Sequence, residues 1–265
     1  MAKGKVATMQ IGLQLYGCAD YWLADAPGFF EKVKAMGYTS VEPCIWFGQG
    51  TPLRFTWAYD DLEKYLDSLR ALGMTAPSCH VFSESLVNAI PYMQKVAENT
   101  EFRYFVIGDD RTWNAPAIDA FAEDCVTVSN ALAEKNAELL FHNGWEGFRT
   151  RIDGLYGWEY LLRRAGGKLG AQLDSGWATY GGANLSALLK DNEQYIRSIH
   201  HKDIEDIVTP PSELYNLQLG TGIVDNVAPW KFGVEHGLYQ LVDLDNSRND
   251  FMEALTQSLA YLTQL

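Results

Sequence analysis

The sequence predicts an α/β fold, a single (β/α)₈ TIM barrel formed by one domain over residues 1–265. Three observations lead to this prediction. Eight short β-rich runs alternate with longer amphipathic stretches, several of those stretches end in glycine just before the next run, and no linker-like shift in composition divides the chain. A doubly wound open sheet is the alternative. That fold usually carries a glycine-rich phosphate loop after its first strand, and "LYGCADYW" is not such a loop.

The eight β-rich runs are predicted to be the barrel strands. They are "QIGLQLYG" (10–17), "TSVEPCIW" (39–46), "TAPSCHVF" (75–82), "FRYFVIGD" (102–109), "AELLFHN" (137–143), "KLGAQLDS" (168–175), "YIRSIHHKD" (195–203) and "LYQLVDLD" (238–245).

The stretches between these runs are predicted to be helices. In "DDLEKYLDSLRAL" the residues Leu62, Tyr65, Leu66 and Leu69 fall on one face at helical spacing. Glycine closes several helices, as in "AMGYTSVE" and "EHGLYQLV", where it can adopt the left-handed conformation of a C-cap. The long connection 204–233 is predicted to be largely irregular and to cover one end of the barrel.

Charge and composition restrict the classes of partner. The formal charge is −13 with no basic block, which disfavours nucleic acid because phosphates are neutralised by Lys and Arg. No apolar run approaches the roughly 20 residues of a membrane span, and the N-terminus lacks the features of a signal peptide. Four scattered cysteines without a CxxC pair are typical of reduced thiols. We therefore expect a cytoplasmic protein that acts on a small molecule and binds neither nucleic acid nor membrane.

Polar residues follow the apolar part of six of the predicted strands. Active sites of TIM barrels lie at the C-terminal ends of the strands, so these side chains are expected to meet at the barrel mouth. They are Glu42, His80, His142, Asp174, His200 and Asp243.

Strands five to eight contribute His142, Asp174, His200 and Asp243. Imidazole nitrogens and carboxylate oxygens bind divalent transition ions, and one such ion would balance the two aspartates. We therefore predict a metal site. A cluster that is only hydrogen-bonded is the alternative.

Strand alternation identifies further residues near this site. Lys202 shares a face with His200, where its ammonium could stabilise an oxyanion, while His201 points to the helices as a structural residue. Tyr16 is either a substrate contact or ordinary barrel filling. Trp177 is either an apolar wall for a sugar or plain packing.

The ordered set of these motifs resembles the sugar phosphate isomerase/epimerase family, also called xylose isomerase-like barrels. The motifs are "GLQLYG", "GYTSVE", "GMTAPSCH", "LLFHNG", "LGAQLDSGW", "IRSIHHKD", "LGTGIVD" and "LVDLDNS". The resemblance spans nearly the whole chain. It implies a (β/α)₈ barrel with one divalent ion held by strands five to eight, and proton transfer next to a sugar carbonyl.

The resemblance also assigns expected roles to residues. The ligand positions fall on His142, Asp174, His200 and Asp243. Catalytic roles fall on Asp243, His142 and Lys202, and substrate contacts on Tyr16, Glu42, His80 and Trp177. Mn²⁺ is the first expectation for the ion, with Zn²⁺, Co²⁺ and Mg²⁺ as alternatives. Members of the family are often oligomers, so a homo-oligomer is left open.

Two residues depart from the pattern of the ketose 3-epimerases in this family. Those enzymes carry glutamate at the ends of strands five and eight, where this chain has His142 and Asp243. Relatives with histidine on strand five resemble inosose dehydratases and enzymes of 3-keto-sugars. DNA-repair endonucleases share the architecture, but the acidic charge and the absence of further histidines disfavour them.

The sequence thus favours a metal-dependent sugar isomerase or epimerase that forms an enediolate. The first alternative is a metal-dependent lyase that eliminates water from a keto-sugar or inosose at the same site. A non-catalytic ligand-binding barrel is the alternative from another class.

Overall fold

Eight parallel strands form the barrel that the sequence predicts, with helices packed around them. The computed structural model describes residues 10–108 and 112–265. The barrel strands, in chain order, are Ile11–Gln14, Ser40–Glu42 with Cys44–Trp46, Ser78–Phe82, Tyr104–Ile107, Glu138–His142, Gly170–Asp174, Ile196–His201 and Tyr239–Val242. Each pairs in parallel with its neighbours, and the first strand also pairs with the eighth.

The second strand is interrupted at Pro43. Its two halves close the sheet into a barrel, because each half pairs with a different neighbouring strand. Ser40–Glu42 pairs with the first strand, whereas Cys44–Trp46 pairs with the third. Proline has no backbone N–H for a sheet ladder, but its carbonyl accepts a hydrogen bond from the His80 N–H at 2.8 Å. The chain therefore crosses from one neighbour to the other within a single strand.

Ten α-helices lie within the described residues. They are Ala19–Met36, Leu62–Ala71, Ile90–Asn99, Ala115–Ala133, Glu146–Arg149, Gly157–Arg164, Ser175–Tyr180, Leu185–Asp191, Val227–His236 and Phe251–Thr263. Gly37 and Gly237 end two of them in the left-handed conformation, with φ of 112° and 64°. The predicted glycine C-caps are confirmed at these positions.

The apolar core lies mainly between the sheet and the surrounding helices. Helix Leu62–Ala71 buries Leu62, Leu66 and Leu69, which confirms the predicted face. Tyr65 on the same helix stacks on Trp57 with ring centroids 4.5 Å apart. Burying each leucine contributes roughly 1.5–3 kcal/mol, which holds the helix against the barrel.

Inside the barrel, the layer directly below the mouth is polar. TIM-barrel interiors are dominated by branched apolar side chains, but here five polar residues are at most 2% exposed, namely Gln14, Glu42, Ser78, Gln172 and Ser198. They come from strands one, two, three, six and seven.

The second strand continues to Trp46, as the predicted run 39–46 requires. The expectation that Glu42 lies at the end of this strand was wrong, because Glu42 is within the strand and lies deeper than the mouth. The connection 204–233 is largely irregular, as expected: up to residue 226 only Ile204 and Asn216–Leu217 lie in short strands, and the last part of the connection begins the helix Val227–His236. Its Pro229 lies in the first turn, where proline is tolerated since those N–H groups have no helical acceptor.

Parts of two expectations lie outside the described residues. These are the last residue of the fourth predicted run, Asp109, and most of the N-terminal segment discussed as a non-signal sequence. Among the residues that are described, no helix combines the length and apolarity that crossing a membrane requires.

Candidate metal centre

The strand ends bring together the four residues predicted to be metal ligands. His142 is the last residue of strand five, Asp174 is the last of strand six, His200 is the last but one of strand seven, and Asp243 directly follows strand eight. One ligand atom from each side chain can be chosen so that all four lie within 4.8 Å of one another. Two ligands about 2.1 Å from one ion lie at most about 4.2 Å apart, so a small contraction would let all four reach one ion.

Several atoms of this cluster are buried without a hydrogen-bond partner among the described residues. They are His142 Nε2, Asp174 Oδ2 and Asp243 Oδ1. Asp174 Oδ2 has only ion-pair contacts, with Lys202 Nζ at 3.3 Å and His142 Nε2 at 3.6 Å, and neither has the geometry of a hydrogen bond. Buried polar atoms are rarely left unsatisfied, since each costs about 1–3 kcal/mol. Imidazole nitrogens and carboxylate oxygens are the ligand atoms that divalent transition ions prefer. The residues present therefore fit a divalent ion.

The two histidines differ in protonation. Burial lowers the pKa of His142 to about 4, although Asp174 opposes the shift. Burial would also lower the pKa of His200, but the negative charges of Glu42 and Asp243 raise it to about 10. His142 is therefore neutral near pH 7, while His200 is a cation that an incoming metal would have to deprotonate.

Lys202 is buried at 1% exposure and contacts three carboxylates. Its Nζ lies 2.7 Å from Asp245 Oδ2, 3.0 Å from Asp243 Oδ2 and 3.3 Å from Asp174 Oδ2. Despite burial, these negative charges hold the pKa of Lys202 well above its ordinary value. The ammonium also lies 5.2 Å from the centroid of the Trp177 ring. Lys202 is thus a fixed cation beside the cluster.

Negative charge exceeds positive charge around this centre. Two cations, Lys202 and the protonated His200, face four buried or half-buried carboxylates. The carboxylates are Glu42, Asp174, Asp243 and Asp245. The excess of two negative charges is the charge that a divalent cation would balance.

Short hydrogen bonds to neighbouring elements orient Asp174. Asp174 caps helix Ser175–Tyr180, because its Oδ1 accepts a hydrogen bond from the Trp177 N–H at 2.7 Å. Its backbone N–H donates to Asn143 Oδ1 at 2.9 Å, and Asn143 Nδ2 donates to the Asp174 carbonyl at 3.1 Å. Asn143, which follows His142 in the chain, therefore ties strand five to strand six at the mouth.

The residues expected to contact substrate divide into two groups. Tyr16, Trp177 and His80 lie around the mouth. Tyr16 is 41% exposed and packs edge-on against Phe55 at 4.8 Å between ring centroids. His80 lies next to the metal cluster and lines a cleft of about 610 Å³ that also touches Phe82.

Glu42 differs from those three residues because its side chain is fully buried. It is surrounded by hydrogen-bond donors in the polar layer below the mouth. A substrate contact by Glu42 stays a prediction, and the burial of its carboxylate indicates a different role.

Sequence reasoning missed Gln172 and Ser78. Gln172 Oε1 lies 2.8 Å from His80 Nε2, and Gln172 Nε2 donates to Glu42 Oε2 at 2.8 Å. Ser78 Oγ donates to Glu42 Oε2. The available signal was strand alternation, since Gln172 shares a face with Asp174, and Ser78 shares one with His80.

No protein-family model and no curated protein matches this sequence. Solved structures do match. A sugar phosphate isomerase/epimerase from Parabacteroides distasonis has a TM-score of 0.79 and 17% identity, covering 98% of this chain and 96% of that chain. The probable 3-DHS dehydratase involved in petrobactin synthesis from Bacillus anthracis has a TM-score of 0.70 and 14% identity, covering 96% and 99%.

A xylose isomerase-like TIM barrel protein from Mycobacterium smegmatis, solved in complex with magnesium, is also similar. Its TM-score is 0.69 with 12% identity, and the match covers 97% of this chain and 96% of that chain. The protein therefore has the xylose isomerase-like TIM-barrel fold. Its structural neighbours include isomerases, epimerases and a dehydratase.

Proposed function

We propose that the protein is a metal-dependent sugar isomerase or epimerase that removes a proton next to a carbonyl. The observation that carries the proposal is the cluster of two histidines and two aspartates with buried, unpartnered donor atoms at the barrel mouth. The fold, which isomerases and epimerases share, supports it. A divalent ion, Mn²⁺ in first place, would be held by these four residues and would act as a Lewis acid toward the substrate carbonyl.

Asp243 or His142 would take the proton from the carbon next to the carbonyl. A carboxylate has two oxygens, so Asp243 could bind the ion through one oxygen and accept the proton on the other, and its Oδ1 is buried without a hydrogen-bond partner in the described part of the chain. His142 could accept the proton only on a ring nitrogen that does not bind the ion; burial lowers its pKa to about 4, so its ring is neutral near pH 7. The C–H electron pair forms the C=C bond of a cis-enediolate, and the carbonyl π pair moves to oxygen.

Lys202 would stabilise the negative oxygen of that enediolate. Its ammonium is held in place by three carboxylates, and its raised pKa keeps it protonated. A preorganised cation needs little rearrangement when charge develops on the substrate. Return of the proton to the adjacent carbon gives isomerisation, and return to the opposite face gives epimerisation.

Tyr16, His80 and Trp177 would border the sugar or cyclitol. Trp177 offers an aromatic face beside Lys202, and His80 connects the metal cluster to the 610 Å³ cleft. An apolar face with a few placed polar groups is the usual lining of a small-molecule site.

A lyase is the second candidate, and His142 is the residue that favours it. Histidine stands on strand five where the ketose 3-epimerases carry glutamate, so proton exchange between two carboxylates does not fit. A structural neighbour is described as a probable dehydratase. In this reaction the same proton is removed, the C–O bond at the β-carbon breaks, and hydroxide leaves as water after protonation.

Proton NMR of a sugar panel in D₂O tests the proposal. The panel holds ketoses, aldoses, 3-keto-glucosides and inososes, each incubated with Mn²⁺-loaded protein. We expect deuterium at a carbon next to the carbonyl of at least one sugar, with the carbon and oxygen skeleton intact. Loss of water from that sugar would establish the lyase instead. No deuterium incorporation into any sugar would overturn both.

Lys202→Met is the matched variant for this experiment. It keeps a long unbranched stem and removes the cation that contacts the three carboxylates. We expect it to slow deuterium incorporation by roughly 10²–10³-fold, the usual effect of losing one oxyanion donor.

A further inference from the structure

Glu42 lies at the centre of the polar layer below the metal cluster, and every direction around its carboxylate holds a donor. Oε1 accepts a hydrogen bond from Gln14 Nε2 at 2.9 Å and lies 2.7 Å from His200 Nε2 and 3.2 Å from His80 Nε2. Oε2 accepts hydrogen bonds from Ser78 Oγ and from Gln172 Nε2. The side chain is 0% exposed. No substrate atom can reach this carboxylate without displacing one of these partners.

The contact with His200 determines which ring nitrogen faces the cluster. His200 Nε2 donates to Glu42, so Nδ1 is the nitrogen that can lose its proton and offer a lone pair. Nδ1 lies 3.0 Å from Oδ2 of Asp243, another residue of the four-residue cluster. A carboxylate behind a ligating histidine commonly fixes both the tautomer and the ring orientation in this way.

We propose that Glu42 is a positioning residue that orients His200, through a hydrogen bond from Nε2, so that Nδ1 binds the divalent ion. The proposal rests on the metal site of the proposed function. It replaces the expected substrate contact of Glu42 with an indirect role beneath the site.

The negative charge of Glu42 distinguishes this role from plain packing. A buried carboxylate costs several kcal/mol of desolvation unless a cationic or strongly polar partner offsets it. The donors from Gln14, Ser78 and Gln172 are neutral, and an amide oxygen could accept hydrogen bonds from them. Two imidazoles face Glu42, and that of His200 is the nearer, at 2.7 Å from Oε1 against 3.2 Å for His80. His200 is also the one in the proposed ligand set, and a carboxylate makes a ligating histidine nitrogen more basic.

Cobalt binding to Glu42→Gln tests the proposal without any substrate. Glutamine keeps the shape of the side chain, but its amide group can turn and donate to His200 Nε2, which would move the ring proton to Nδ1. We expect Co²⁺ to bind about 10–100-fold more weakly than to the parent. The visible d–d spectrum at saturation should also change, because a nitrogen ligand is lost or displaced.

Ser78→Ala is the matched control. Ser78 contacts the same carboxylate from the same buried layer, but Glu42 Oε2 and not His200 is its partner. We expect this variant to bind Co²⁺ within about threefold of the parent and to give the same spectrum. The contrast separates orientation of the histidine from general disturbance of the layer, and the melting temperature of each metal-free variant reports its fold.

Co²⁺ affinity within threefold of the parent and an unchanged spectrum for Glu42→Gln would overturn the proposal. Equal losses in Glu42→Gln and Ser78→Ala would overturn it too. If Glu42→Gln does not fold, Glu42→Asp takes its place. Aspartate keeps the negative charge, but its side chain is one methylene shorter, so the carboxylate lies further from His200. The same weakening and spectral change are then expected. A parent protein that binds no Co²⁺ would instead refute the metal site of the proposed function.

Discussion

At the scale of single residues, His142 is the candidate metal ligand whose side chain has the fewest hydrogen-bond partners among the described residues. Its Nε2 has no hydrogen-bond partner among the described residues, and Asp174 Oδ2 lies 3.6 Å away. A histidine that only filled the core edge would be satisfied by a partner, because burying an unpaired imidazole is unfavourable. The unpaired nitrogen is therefore the feature that makes His142 a metal ligand in this account.

Replacing His142 by alanine should weaken metal binding strongly and change stability little. The loss of a direct ligand should exceed the 10–100-fold effect of losing an outer partner, so we expect at least about a hundredfold in metal Kd. The melting temperature should stay near that of the parent, since no partner of Nε2 is orphaned. Unchanged metal affinity together with a loss of about 1–3 kcal/mol in stability would instead identify a structural histidine.

His201, which is not a candidate ligand, should make the stability of the protein depend on pH. It points away from the mouth, packs on Trp230, and its Nε2 lies 2.9 Å from Gln240 Oε1. Burial lowers the pKa of His201 from 6.5 to about 4, while Gln240 and Asn226 oppose the shift. Because the unfolded chain takes up the proton first, stability is full above pH 6.5 and falls as the pH drops toward 4.

This one group should account for about 3 kcal/mol of the loss between pH 6.5 and 4. Urea unfolding of the metal-free protein across this pH range measures it, with His201→Gln as the comparison. Glutamine can replace one of the hydrogen bonds but does not titrate. If the variant loses stability over this range as steeply as the parent, His201 is not the cause.

At the scale of elements, helix Ser175–Tyr180 positions both the site and its cation. It begins directly after strand six, with Asp174 as the capping residue. Gly176 in its first turn lets the stem of Lys202 pass closely, since a Cβ at Gly176 would lie 2.7 Å from Lys202 Cγ and 2.9 Å from Lys202 Cβ. These are the inner atoms of a buried side chain, which have little freedom to move.

Gly176→Ala should therefore displace Lys202 and destabilise the protein. Overpacking of this kind costs about 1–3 kcal/mol, which should outweigh the better helix propensity of alanine. Thermal unfolding measures the stability, and deuterium incorporation in D₂O measures the reaction. A variant with the parent's stability and rate would show that Lys202 can shift without loss.

The secondary-structure elements also show which parts of the fold could be predicted from sequence patterns. All eight predicted runs contain barrel strands, because apolar runs followed by glycine-capped helices mark strands that are buried on both faces. The predicted run 39–46 already placed Glu42 four residues before the end of its strand, but Glu42 was grouped with the strand-end residues because a polar residue there follows an apolar stretch. The pairing of the two halves of this strand with different neighbours across Pro43 could not be predicted, because it leaves no trace in an apolar pattern. The end of the helix Val227–His236 at Gly237 was predicted, but its start was not, because Pro229 and Gly233 interrupt the helical pattern.

At the scale of the whole molecule, barrel closure brings residues that are far apart in sequence into one site. Glu42 and His200 are 158 positions apart and lie 2.7 Å from each other at Oε1 and Nε2. The sequence predicted which strand ends converge, because strand order fixes that in a barrel. It could not predict the polar layer below them, which depends on strand register and on side-chain pairs across the barrel.

The central claim is that this barrel holds a divalent ion on His142, Asp174, His200 and Asp243. Metal analysis of purified protein supplied with Mn²⁺ or Zn²⁺, made in parallel on Asp174→Asn, tests it most directly. Asparagine is also a good helix cap, so the variant should keep the cap to Trp177 and its melting temperature while placing an amide where Oδ2 stood. The account predicts about one ion per chain in the parent and far less in the folded variant. No bound ion in the parent, or equal metal content in the two proteins, would contradict it.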